Sequence, residues 1–209
     1  GHTNELSALI NKDDLVSNLI NLALKKEKKI FSFDDIYRDG YKSYQNIYCP
    51  ITNKHNLPPD RFGMLYRISK PVVGIFGTSS RQGKFTLQLK LREILLKQGY
   101  NVGQIGTEPS AQLFGIDYCY LMGYNSSVYI TGYDTIRYLN YIENNLCKQC
   151  KDIIIVGSQS GTVPYDFGNI SQYTIPQYEL LMGANPDCVI LCINPFDEID
   201  YIKRTVNYI

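Results

Sequence analysis

Ten consecutive residues of this chain have the types and spacing to hold phosphate. Gly77-Thr78-Ser79-Ser80-Arg81-Gln82-Gly83-Lys84-Phe85-Thr86 follows directly on the apolar run Val72-Val73-Gly74-Ile75-Phe76. A buried strand that runs through a glycine-bounded loop into Gly-Lys and a helix turns backbone N–H groups inward, and the helix N-terminus adds partial positive charge. Lys84 would bring a mobile ammonium to the outer phosphates. Ser79 and Arg81 stand where they would touch a terminal group, and Thr86, one position late, would bond an inner phosphate. One part of the usual device is missing. The Ser or Thr that follows the lysine and holds Mg²⁺ is replaced by Phe85. The loop is therefore expected to cradle phosphate while lacking a standard part for splitting a nucleoside triphosphate.

Alternating patterns on either side supply the scaffold. After Val72–Phe76 the stretch Gly83–Lys97 carries Leu87, Leu91, Ile94 and Leu95 at helical spacing, and Gly99 ends it. Strands are expected at Asn101–Ile105, Asp152–Val156 and Cys188–Ile193. Helices are expected at about Asp134–Leu146 and Gln177–Met182, with a last one starting near Asp197. Strands alternating with helices make a mainly parallel sheet covered on both faces, an α/β fold. Ligands of such sheets sit beyond the carboxyl ends of the strands. That rule gathers four loops: the phosphate loop, Gly106-Thr107-Glu108-Pro109-Ser110, Gly157-Ser158-Gln159-Ser160-Gly161, and Asn194-Pro195-Phe196-Asp197. Upstream, Asn11–Lys29 reads as a helix with acids early and lysines late, and Lys29–Phe33 as a short strand. Asp39–Arg61, with Gly40, Pro50, Pro58 and Pro59, shows no sustained period and reads as a connector.

Composition narrows the partners. Lys and Arg total 21 against 20 acidic residues, a net charge of +1 over 209 residues, so no basic face is implied and nucleic acid is not favoured. No run approaches the roughly 20 apolar residues of a membrane span. Cys188 and Cys192 lie in an apolar run and read as small core residues, and the single Cys147-Lys148-Gln149-Cys150 lacks the second pair a zinc site needs. The cysteine usage fits a reducing cytoplasm, and a cytoplasmic protein is expected.

The gap from Gly77 to Gly83 is one residue longer than the common phosphate-loop pattern, and in this the chain resembles dethiobiotin synthetase-like P-loop proteins. From that loop to Pro195 it resembles the DUF1611 family. The resemblance is carried by Gly77-Thr78…Gly83-Lys84-Phe85-Thr86, Gly115-Ile116-Asp117, Val156…Gln159 and Leu180-Leu181-Met182-Gly183…Pro186-Asp187…Leu191-Cys192…Pro195. It implies a P-loop NTPase-like domain over residues 70–209. Residues 1–38 would be the remnant of a Rossmann-like N-terminal domain and 39–69 a connector. It further implies that the family's first strands precede this chain and that the block after residue 200 is cut short. Asn194 follows the strand after which related proteins read a nucleotide base, and Gln159 faces the same crevice.

The departures bear on mechanism. Where the resemblance implies a strand-end Glu, the chain has Gly157, and a histidine normally just beyond has no counterpart around Val163-Pro164. A magnesium site needs oxygen ligands, and Asp152 begins its strand about 15 Å from the far end at ~3.3 Å per residue. Glu108 is then the remaining candidate for a metal carboxylate or a base, with Asp117 the weaker one. Three readings stay open. The protein would hold ATP or GTP, with Mg²⁺ through Glu108, and act on a small molecule or peptide. Alternatively it would bind acetyl-CoA and transfer an acyl group to an amine, as relatives resembling D-glutamate N-acetyltransferases do, with Lys84, Glu108 and Asp117 as the catalytic groups. The third reading is a non-catalytic nucleotide-binding accessory protein in peptide maturation. A homo-oligomer is compatible with all three.

Overall fold

A computed structural model of the chain describes residues 12–36, 46–123, 126–166 and 175–209. The first residue of the expected N-terminal helix, Asn11, and the start of the expected connector lie outside the described residues. Helix α1 (Lys12–Lys25) closes in a turn where Lys28 N–H donates to Ala23 O at 2.8 Å. The strand after it, β1 (Ile30–Phe31), pairs in parallel with β2 (Ile47–Tyr48), and Ile20, Ile36 and Ile47 form a small core of their own. β2 falls inside the stretch read as a connector, because a two-residue strand has no period to detect.

The main sheet has the order β5-β4-β6-β3-β7 with every pair parallel. Its strands are β3 (Val72–Gly77), β4 (Val102–Gly106), β5 (Tyr118–Cys119), β6 (Ile153–Gly157) and β7 (Cys188–Cys192). Helix α2 (Lys84–Lys97) covers one face, laying Leu87, Leu91 and Leu95 on Ile75, Val102 and Ile155. Helices α3 (Tyr133–Lys148) and α4 (Ile175–Ala184) cover the other, where Phe76, Ile154 and Val156 meet Leu139, Leu146 and Leu180. Burial on both faces is why the inner strands read as near-continuous apolar runs. The α/β expectation holds, and the expected strands and helices are present, joined by the unexpected edge strand β5. The last helix, α5 (Ile199–Tyr208), starts beyond Asp197 because Asn194–Asp197 closes a turn, Asp197 N–H donating to Asn194 O at 3.0 Å.

Register brings the strand ends close together. Ile75 lies opposite Gly157, Gly77 opposite Cys192, and Ile105 opposite Val156. The loops that leave these strands therefore meet on one edge of the sheet, as expected for a parallel sheet. Among the described residues, no helix is long and apolar enough to cross a membrane.

One buried carboxyl group conflicts with this core. Glu143 of α3 is fully buried, and neither carboxylate oxygen has a hydrogen-bond partner among the described residues. Burial, helped by Cys147 and Asp187, pushes its carboxyl up to about 9. The folded chain keeps a proton that the unfolded chain releases near pH ~4.3. With the folded pKa raised, stability is full below that value and declines as pH climbs toward the folded pKa. Glu143→Gln removes the slope. The variant is expected to be more stable than wild type by about 1–3 kcal/mol at mildly alkaline pH, with the difference vanishing in acid, as read from urea unfolding at a series of pH values.

Candidate functional site

β3 ends at Gly77, and the chain turns through Thr78–Gly83 before Lys84 opens α2. Neighbouring strand ends hold this loop by its backbone. Thr78 N–H donates to Cys192 O at 3.0 Å, and Gly77 O accepts from both the N–H (2.9 Å) and the hydroxyl (3.0 Å) of Thr162. The phenolic oxygen of Tyr201, on α5, lies 2.5 Å from Thr78 O and 2.9 Å from Val163 O, so its one proton serves either carbonyl. Gly161 passes so close that a Cβ there would stand 2.4 Å from Thr78 O. Only a glycine allows that approach.

Inside the loop, the Gln82 amide is spent on the loop itself. Its oxygen accepts from Ser79 N–H at 3.0 Å and its nitrogen donates to Thr78 Oγ1 at 2.5 Å. The Thr78 hydroxyl in turn donates to Asp197 Oδ2, which also accepts from Asn194 N–H at 2.8 Å. Lys84 is only 6% exposed, and its Nζ donates to Ser79 O (2.7 Å) and Ser160 O (2.9 Å). The ammonium thus bridges the phosphate loop and the loop after β6. Burial draws its pKa below the usual lysine value, and Cys192 and Glu108 work against that pull.

The structure disperses the other expected residues. Ser80, Arg81, Gly83 and Thr86 are exposed along the outer rim of the loop and the first turn of α2. Gln159 donates to Thr107 O at 2.9 Å, tying the loops after β6 and β4 together. Glu108 opens the short helical turn Pro109–Phe114 and lies near enough to Lys84 to favour its charged form. Asp117 is paired with Lys151 Nζ at 2.9 Å and accepts from Gln104 N–H at 2.9 Å, alongside the strand rather than beyond its end. Asn194 caps its own turn, its Oδ1 accepting from Phe196 N–H at 3.0 Å.

The positions that would complete a magnesium site are occupied by packing. The Phe85 ring meets Phe114 edge-on, with centroids 5.5 Å apart. At Gly157 a Cβ would lie 2.1 Å from the amide of Gln88, which is fully buried and reaches back toward Gln104. Among the described residues, no group of three His, Cys, Asp or Glu side chains gathers as a metal site. The residues present do not fit a magnesium ion held in the usual way.

Beside the loop opens a cavity of about 860 Å³, within the range of small-molecule sites. Thr78, Ser79, Ser80, Gln159 and Ser160 line it at the loop end. Its wall also includes Asp197, from the last of the four loops gathered by sequence, and residues that sequence reasoning did not single out: Tyr201, and Gln177 and Glu179 of α4. The only trace of the last two in the sequence is a pair of polar residues opening an otherwise apolar helix.

Gly157 and Gln88 act as a matched pair, since Gln88 is fully buried and its amide fills the space a Cβ at Gly157 would need. Gly157→Ala is expected to cost about 1–3 kcal/mol through overpacking. Gly157→Ala/Gln88→Ala should recover at least half of that loss. Urea denaturation of the two variants measures both.

The model of a family described as "Domain of unknown function (DUF1611_C) P-loop domain" matches residues 61–203. The crystal structure of a DUF1611 family protein from Anabaena variabilis superposes with TM-score 0.58 at 16% identity, covering 90% of this chain and 55% of that one. The chain thus spans about half the length of that relative. The C-terminal Sua5 domain of a Pyrococcus horikoshii protein matches with TM-score 0.39 and 14% identity, over 60% of this chain and 99% of that domain. The signal recognition particle 54 kDa protein of Aeropyrum pernix, in complex with GDP, matches with TM-score 0.38 and 20% identity, over 63% of this chain and 31% of that one. No curated protein matches the chain.

Proposed function

The chain belongs to the DUF1611 family through its P-loop domain, and on that premise we propose that it binds the phosphates of a nucleotide or of coenzyme A at Lys84 and presents the rest of that ligand to a second substrate, a small molecule or peptide, in the adjoining cavity. The supporting observation is a contrast within one loop. The buried ammonium at the head of α2 is in place, while Phe85 packs on Phe114 and Gln88 fills the space above Gly157. Anchoring without metal-assisted phosphate cleavage follows from that combination.

Acyl transfer suits such a site better than phosphoryl transfer. When an amine nitrogen attacks a thioester carbonyl, the thiol leaves and the phosphates stay intact, serving only as a handle. ATP or GTP as the ligand is the second reading, favoured by the P-loop itself, with Glu108 near Lys84 as a candidate carboxylate for Mg²⁺. An accessory protein in peptide maturation that binds without catalysing would use the same phosphate contacts.

Calorimetric titration with acetyl-CoA, ATP and GTP, each with and without Mg²⁺, tests the proposal. Metal-independent binding is expected, weakened at least about tenfold in Lys84→Ala, which removes a charge-assisted anchor. Preference for acetyl-CoA would support the acyl-transfer reading. Binding that needs Mg²⁺ would support the nucleotide one. Failure of all three ligands to bind would overturn the proposal.

A further inference from the structure

The cavity beside the phosphate loop has a mixed lining. Apolar residues include Met122, Val128, Ile130, Val163 and Pro164, with Ser126 and Thr131 among them. Two polar side chains of α4 interrupt this lining. Glu179 is 8% exposed and its Oε1 accepts from Gly132 N–H at 2.6 Å, where α3 begins. Gln177 is 2% exposed, and neither atom of its amide has a hydrogen-bond partner among the described residues.

Charge makes this lobe selective. Among its described lining residues the cavity has two carboxylates, Asp197 and Glu179, and no Lys, Arg or His. Asp197 is committed to the Thr78 hydroxyl and Asn194 N–H. Among the described residues Glu179 is held by one backbone donor, a small return for a carboxylate withdrawn from water. We propose that this lobe is a subsite for an ammonium group carried on an apolar body, with Glu179 as its counter-ion and the Gln177 amide bonding a neighbouring polar atom of the same ligand. A compact ammonium fits better than a guanidinium, because the Gly132 N–H already occupies Oε1 and a fork of two parallel bonds wants both oxygens. A metal ion fits worse, since Glu179 belongs to no group of three ligating side chains among the described residues. As an assignment of the second substrate, the inference rests on the reading above, in which the phosphate-bearing ligand lies along the loop and leaves this lobe to its acceptor.

Phenethylamine and phenethyl alcohol probe the lobe, because they share a shape and differ in charge. In titrations of the wild-type protein the amine is expected to bind at least about tenfold more tightly than the alcohol. Glu179→Gln, which keeps an oxygen for Gly132 N–H, should bring the amine down to the affinity of the alcohol and leave the alcohol unchanged. The wild-type comparison stands even if the variant fails to fold. Equal affinities, a preference that survives in Glu179→Gln, or no binding of either compound would each overturn the subsite. Inorganic pyrophosphate, titrated into the same protein and into Lys84→Ala, reports on the loop separately. An amine preference lost in Glu179→Gln supports the subsite, and silence from pyrophosphate in that case would count against the phosphate reading alone.

Discussion

The Lys84 ammonium organises the functional edge of this domain. It leaves water almost completely, and what it receives in return is two backbone carbonyls, Ser79 O and Ser160 O, from loops that follow different strands. A buried cation is tolerated only where such partners converge on it. The requirement therefore reaches into the sheet: β3 and β6 must be neighbours, in a register that sets the loop after β6 beside the loop after β3. The pairing of Ile75 with Gly157 meets it. Tyr201 and Thr162 then fix the carbonyls of Thr78 and Gly77 from the outside. A phosphate reaching this loop would compete with carbonyl oxygens already bound to the ammonium, which keeps the lysine positioned before any ligand arrives.

The loss of magnesium ligands is compensated by packing, and each replacement comes with a partner. Phe85 would be an exposed aromatic at the mouth of the loop without Phe114 to meet its edge. Gly157 would leave a void without Gln88, whose amide occupies the volume that a strand-end side chain would take. Interiors close-pack, so a residue removed for chemical reasons draws another into its place. The two substitutions read separately as deletions of function. With their neighbours they describe a P-loop whose usual metal positions are taken up by packing.

Much of this was legible in the residues. The phosphate loop, the alternation of strands and helices and the edge on which the loops gather all follow from local pattern, because a strand buried on both faces and an amphipathic helix announce themselves over several residues. β2 and β5 did not, being too short to show a period. Asp117 shows the limit for side chains: its neighbourhood pointed to the site, whereas its carboxylate is spent on Lys151 and the β4 backbone. Gln177 and Glu179 escaped for the opposite reason. Polar residues at the start of a helix look solvated, and only tertiary packing turns them inward. The same holds for Tyr201, whose role depends on where α5 lands after a turn.

The order of strands in the sheet has a consequence for how the chain is made. β6 lies between β3 and β4, yet it is synthesised after both of them. Two apolar strands must therefore wait on the ribosome with the edges destined for their central neighbour unpaired, until residues 153–157 emerge to join them. Unpaired edges of this kind invite association with other chains. The phosphate loop is drawn into the same delay, because the carbonyl of Ser160, the hydroxyl of Thr162 and the phenol of Tyr201 all come later still. A nascent chain halted after α3 would carry the whole P-loop sequence with its internal bonds, and lack the contacts from Ser160, Thr162 and Tyr201.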